Sequence, residues 1–269
     1  MKVKQRIYRF AKSIWMWLCA FGFNLIALKN TLRYFCITLR ELCVLKRQNR
    51  TAGSPFPISF SMPCFSDRSD QSGTAKGHYF FQDLYVARKI FERNPIRHVD
   101  VGSRVDGFVA HVASFRTIEV FDIRPLASNI PAIIFRQANL MELHEELRDC
   151  CDSLSCLHAI EHFGLGRYGD PIDLYGHVKG FNSLSQILKT GGMLYLSVPI
   201  GPTRIDFNAC RVLDVQTILK LVEPLFTLET FSYVDDAGEF HENVILLPEL
   251  LAENCSCDYG CGIFELRKK

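Results

Sequence analysis

A short apolar strand pattern, His98-Val99-Asp100-Val101, runs straight into Gly102-Ser103-Arg104-Val105-Asp106-Gly107 and then into a helical pattern that starts at Phe108. A strand whose end carries an acidic residue and a glycine lets the backbone come close to a ligand. The start of the following helix offers N–H groups with no partner in the chain. In parallel α/β sheets this is where nucleotide-like cofactors bind. The stretch is neither a dinucleotide fingerprint nor a phosphate loop, because G-x-G-x-x-G is absent and no Gly-Lys-Ser/Thr follows.

The rest of the sheet can be placed around it. Phe80, Phe81, Leu84, Val86, Ala87, Ile90 and Phe91 recur near helical spacing, and Asn94-Pro95 ends that helix. Residues 117–121, 133–136, 153–157 and 193–198 read as strands, the last after the turn Lys189-Thr190-Gly191-Gly192; residues 228–234 and 261–266 read as a closing pair. Strands separated by helical stretches predict a mostly parallel sheet with helices on both faces and ligands at the carboxyl ends.

At 269 residues, 48% hydrophobic and 22% charged, the chain has the composition of one globular α/β domain with an appended segment. A formal net charge of +2, with no basic run interleaved with aromatics, argues against nucleic acid as a partner. The 11 cysteines are scattered and odd in number, and Cys36, Cys43 and Cys156 sit in apolar patterns, which predicts free thiols in a reducing, cytoplasmic setting. Cys255, Cys257 and Cys261 are the densest group. Their spacing matches no standard zinc pattern and offers three ligands where a structural site needs four, so no metal is expected.

Residues 1–50 form an apolar, basic helical segment, 51–77 a Pro-, Ser- and Gly-rich linker, and 78–269 the main domain. The apolar run 14–28 follows Lys2, Lys4, Arg6, Arg9 and Lys12 but is too short to span a bilayer, and basic residues flank it on both sides. Three arrangements fit: a helix lying on a membrane surface through residues 7–45, a short anchor, or a helix packed on the domain or a partner.

From about Phe80 onward the sequence resembles the class I S-adenosylmethionine-dependent methyltransferases. The resemblance rests on Val99-Asp100-Val101-Gly102-Ser103 as a cofactor loop, Asp122 ending the next strand, Gln137-Ala138-Asn139-Leu140 after the third, and Leu188-Lys189-Thr190-Gly191-Gly192 before the fifth. The run from His158 to Pro171 is similar to a family catalogued as domain of unknown function 268, which has a methyltransferase-like fold. The resemblance implies a Rossmann-like α/β fold with an antiparallel C-terminal strand and an N-terminal helical extension. It also implies S-adenosylmethionine as cofactor and methyl transfer to an oxygen or nitrogen of a small or glycan-like acceptor; a membrane-associated N-terminal helix would suit a surface glycan or lipid-linked sugar. A non-catalytic binding module and a nucleotide-sugar enzyme are the alternatives on the same fold.

Position suggests roles. Asp122 can accept both ribose hydroxyl hydrogens, Asp100, Gly102 and Ser103 would surround the methionine moiety, and Asn139 would reach the adenine. The alternatives are a loop carboxylate or helix cap for Asp122 and a turn-forming residue for Asn139. Arg104 stands where the family pattern has a second glycine, and either crowds the cofactor or pairs with Asp106 or a ligand carboxylate. After the fourth strand come His158, Glu161 and His162, candidates for acid–base catalysis, with Arg167, Tyr168 and Asp170 as substrate contacts. The H-x-x-E-H spacing also fits zinc, but only on a long helix, which Gly164-Leu165-Gly166 forbids. Glu161 and His162 as simple loop braces are the bland alternative. Arg204, with Asp206 and Asn208, follows the fifth strand and is expected to face the same cleft.

Overall fold

The computed structural model describes every residue except 1, 54, 55, 66, 143 and 144. Two compact units divide the chain, Met1–Thr74 and Ala75–Lys269.

The first unit holds helices α1 (Lys2–Ala20) and α2 (Leu25–Thr51). The apolar run 14–28 is broken rather than continuous. Gly22 takes a left-handed conformation (φ 83°), and the Asn24 side chain caps α2 by accepting the Ala27 N–H at 2.9 Å. Among the described residues no helix is long and apolar enough to cross a membrane.

The second unit opens with α3 (His78–Arg93), which ends in left-handed Asn94 just before Pro95. It continues through β1 (His98–Val101), α4 (Ala110–Ala113), β2 (Ile118–Asp122), β3 (Ile133–Gln137), β4 (Cys151–Leu157), α5 (Gly176–Ile187) and β5 (Leu188–Ile200). A hairpin of β6 (Arg204–Asp206) and β7 (Cys210–Val212) follows, then α6 (Val215–Val222), β8 (Phe226–Val234), β9 (Phe240–His241), α7 (Pro248–Ala252) and β10 (Gly260–Lys268). The main sheet has the order β3-β2-β1-β4-β5-β10-β8-β9. β1 to β5 pair in parallel, and β10 runs antiparallel between β5 and β8. This is the mostly parallel sheet with an antiparallel C-terminal strand that the sequence predicts.

Helices cover both faces. Phe181 and Leu184 of α5 and Ile218 of α6 pack on Val101, Leu154, Leu194 and Leu196, while Val86 and Ile90 of α3 pack on Val120, Tyr195 and Ile263. The alternation of Leu194, Leu196 and Val198 against Met193 and Tyr195 along β5 sends successive side chains to opposite cores.

Three local expectations are corrected. The helix after β1 starts earlier than Phe108 and is not regular: a π-helical segment, Val105–Val109, interrupted at non-helical Gly107, runs into the α-helix Ala110–Ala113. Lys189 to Gly192 lie within β5, where the register shifts between Cys151 and Ser153 absorb them. The β6–β7 hairpin and β9 were not anticipated; strands of two or three residues carry no measurable periodicity.

Candidate active site

Strand order reverses between β1 and β4, whose carboxyl ends open onto a crevice. Two adjoining hollows occupy it. One is a narrow apolar slot walled by Val101, Phe121, Ile123, Ala138, Leu140, Met141 and Phe163. The other is a wider, open polar basin walled by Ser103, Arg104, Asp106, His158 and Arg167. Gly102, Asp122, Arg124, His162 and Tyr168 line both and form the seam between them.

The β1 loop is drawn tight at Gly102. Its φ of +76° suits glycine, and a Cβ there would stand 2.8 Å from the Cβ of Ala159. Asp100 shapes this loop from beneath rather than lining either hollow: its carboxylate accepts from Ser103 N (3.0 Å), Ser103 Oγ (2.8 Å) and Ser155 Oγ (2.6 Å). Burial pushes the Asp100 carboxyl up to about 7, against the lowering effect of those hydrogen bonds. Arg104 resolves in favour of pairing. Its guanidinium forks onto Asp106 at 2.9 and 2.6 Å and stays largely exposed.

Asp122 ends β2 in the seam, where the sequence places it, but its oxygens are engaged. Arg124 donates its backbone N–H at 2.8 Å, Nε at 3.0 Å and Nη2 at 2.5 Å, and the same guanidinium lies 4.5 Å over the Tyr168 ring. Asn139 lines the slot and accepts the Met141 N–H at 3.1 Å, so it also serves as a turn former.

Beyond β4, His158 adopts a left-handed backbone (φ 49°), and a single turn, Ile160–His162, follows in place of a long helix. The long helix on which the H-x-x-E-H spacing could hold zinc is therefore not formed. His158 Nδ1 lies 2.8 Å from Glu161 Oε1, and both residues are buried. His162 Nδ1 lies 2.7 Å from the carbonyl of Ala209, an acceptor only, so in the neutral ring Nδ1 carries the proton and Nε2 the lone pair. Burial, with Arg167 adding to it and Glu161 opposing, holds His162 below the ordinary histidine value.

Asp170 ties the glycine-rich segment together, accepting from Gly164 N (2.7 Å), Gly166 N (3.2 Å) and Tyr168 N (3.2 Å), and it lines the slot. Arg167 donates to Ala209 O at 2.8 Å at the basin wall. Arg204 is not brought to either hollow; it pairs with Asp206 and donates to Asp258 O at 3.0 Å because the β6–β7 hairpin turns it away. Glu161 likewise lines neither.

Two arginines escaped the sequence reading. Arg124 could have been seen as the second residue after Asp122. Arg211, only 2% exposed, donates to the carbonyls of Glu161, Phe163, Asp173 and Leu174 and so pins the whole loop. No local pattern marks it.

Residues 112–243 match a family model described as "Caenorhabditis protein of unknown function, DUF268". Among solved structures the chain is similar to the 4+2 cyclase SpnF, at 13% identity and a TM-score of 0.51, over 86% of this chain and 95% of that one. It is also similar to the N-methyltransferase NodS from Bradyrhizobium japonicum WM9 in complex with S-adenosyl-l-homocysteine, at 10% identity, TM-score 0.48, over 77% and 93% of the two chains. A third is the 1,6-didemethyltoxoflavin-N1-methyltransferase of Burkholderia thailandensis, at 12% identity, TM-score 0.47, over 70% and 78%. No curated protein matches the chain by sequence.

Proposed function

From the class I methyltransferase fold of this chain we propose that it binds S-adenosylmethionine and transfers the methyl group to an oxygen or nitrogen of a small-molecule acceptor. The observation that carries the reading is the seam: one glycine with positive φ and one carboxylate, Gly102 and Asp122, shared by an apolar slot and a polar basin. That division of the lining matches the apolar and polar ends of an adenosine. The slot takes the base, Asp122 the ribose hydroxyls, and the basin the charged end together with the acceptor.

When bound, the cofactor supplies an electrophilic methyl group on a sulfonium. The chain supplies position and a base. Gly102 and the Asp100–Ser103 bonds hold the loop backbone close to the ligand. His162, neutral at pH 7 and with its lone pair on Nε2, takes the proton from the acceptor as the new bond forms. Arg167 and Tyr168 bound the acceptor, and Glu161 orients His158 rather than touching substrate. Alignment of acceptor and methyl supplies most of the rate. Transfer of label from methyl-labelled S-adenosylmethionine to hydroxyl- and amine-bearing small molecules tests the activity; a folded chain that transfers to no acceptor class, and is not stabilised thermally by S-adenosylhomocysteine, overturns it.

The first unit fits a membrane-surface role. Phe10, Trp17, Phe21, Phe23 and Leu32 are all at least 60% exposed, in a segment whose charges are almost all basic. Through residues 7–45 it would hold the enzyme beside lipid-linked sugar or surface-glycan acceptors at the cytoplasmic face. Sedimentation with anionic vesicles checks this: loss of binding on deletion of residues 1–50 supports it, and unchanged binding refutes it.

A further inference from the structure

Three ligand-type side chains from three different elements converge outside the cofactor seam. His78 opens α3, His158 stands at the exit of β4, and Cys261 lies near the start of β10; their ligand atoms all lie within 4.8 Å of one another. We propose that His78, His158 and Cys261 bind one divalent cation of the zinc class.

The strongest support is His158 Nε2. It is buried, in a residue only 7% exposed, and it faces the Cys261 thiol with no oxygen or nitrogen partner. Buried ring nitrogens are ordinarily satisfied, so one left open toward a thiol and a second imidazole asks for an occupant. The other nitrogen of the ring explains the orientation: Nδ1 is 2.8 Å from Glu161 Oε1. An imidazole that gives its Nδ1 proton to a carboxylate presents Nε2 as a lone pair, which is the arrangement that fixes a metal-ligating histidine. Glu161 is the outer partner here.

Donor chemistry selects the ion. Two imidazoles and a thiolate suit zinc and its neighbours and do not suit magnesium or calcium, which take oxygen ligands. Charge agrees: thiolate Cys261 and carboxylate Glu161, both buried, together balance a divalent cation. Cys261 has only weak partners otherwise, Gln82 Oε1 at 3.7 Å and Gly262 O at 4.0 Å. Three protein ligands leave a fourth position, the pattern of an exchangeable site rather than a closed structural one.

The cysteine cluster that stands out in the sequence divides accordingly. Cys255 and Cys257 join the core on one face of the sheet, and Cys261 the core on the other. The histidines that complete the set lie 183 and 103 positions away in sequence, beyond any spacing motif. The His78 and His158 rings are stacked, with centroids 5.2 Å apart and planes within 3°. Parallel rings cannot both hold one ion in plane, so binding turns His78, the half-buried first residue of its helix, out of the stack.

The test is a cobalt(II) titration of the full chain after treatment with a chelator, read by the thiolate-to-metal charge-transfer band and by the visible bands of low-coordinate cobalt. The proposal expects saturation at one equivalent, displacement by zinc, loss of the charge-transfer band in Cys261→Ser, and affinity lowered about tenfold or more in His78→Ala. Circular dichroism establishes that each variant is folded. A folded wild-type chain with no charge-transfer band overturns the proposal, as does unchanged cobalt affinity in His78→Ala, which alters a half-buried side chain and so remains informative should Cys261→Ser fail to fold. The outcome does not depend on methyl transfer.

Discussion

Arg124 holds Asp122 by three donors at once, its backbone N–H at 2.8 Å, Nε at 3.0 Å and Nη2 at 2.5 Å. The carboxylate proposed to receive two ribose hydroxyls is thereby partly occupied, and a cofactor must displace the guanidinium to use both oxygens. Asp122 is buried but the Arg124 side chain is 38% exposed and so screened by water, which makes the competition worth about 0.5–1 kcal/mol. Arg124→Ala should therefore tighten S-adenosylhomocysteine binding by about two- to fivefold. Weaker binding would mean that Arg124 touches the ligand instead of competing with it. Calorimetric titration distinguishes the two.

Gly102→Ala should lower both stability and cofactor affinity. The substitution places a Cβ 2.8 Å from Ala159 Cβ at a φ of +76°. Left-handed strain and overpacking together cost about 2 kcal/mol, or about 4–8 °C in Tm for a unit of this size. An unchanged melting temperature would show that the loop relaxes freely.

His162 should titrate below 6.5, the ordinary histidine value, when followed by NMR of its imidazole. Burial lowers it, and the Arg167 charge lowers it further, so Arg167→Ala should move the midpoint up. A midpoint that stays put or falls would remove Arg167 from the electrostatics of the base. Under the proposed methyl transfer the acidic limb of the rate profile should follow the same shift.

Asp100 should make stability fall with rising pH. Its carboxyl is raised by burial from 3.8 to about 7 in the fold. A raised carboxyl stabilises fully below its unfolded value, and the contribution is lost as pH climbs through about 7. Asp100→Asn cannot ionise, so its denaturation midpoint relative to wild type should rise between about pH 4 and 7. Parallel profiles for the two proteins would refute the assignment.

Much of this was legible in the chain because the main strands are long enough to alternate. β5 and β8 show their two faces in sequence, and Asn94-Pro95 marks the end of α3 without ambiguity. The seam was legible too, since Gly102 and Asp122 stand at strand ends. What escaped were side chains whose partners are far away in sequence. Arg211 pins carbonyls 37 to 50 residues earlier, and Arg204 turns to Asp258, 54 residues on. Arg204 looked like a cleft residue only because the hairpin that redirects it has strands too short to announce themselves.

The most direct measurement is calorimetric titration of the full chain with S-adenosylhomocysteine, beside Asp122→Ala. Saturable binding at one equivalent that is lost in the folded variant is the predicted result. Absence of binding by folded wild-type protein, or equal affinity in Asp122→Ala, would contradict a cofactor site at the Gly102–Asp122 seam.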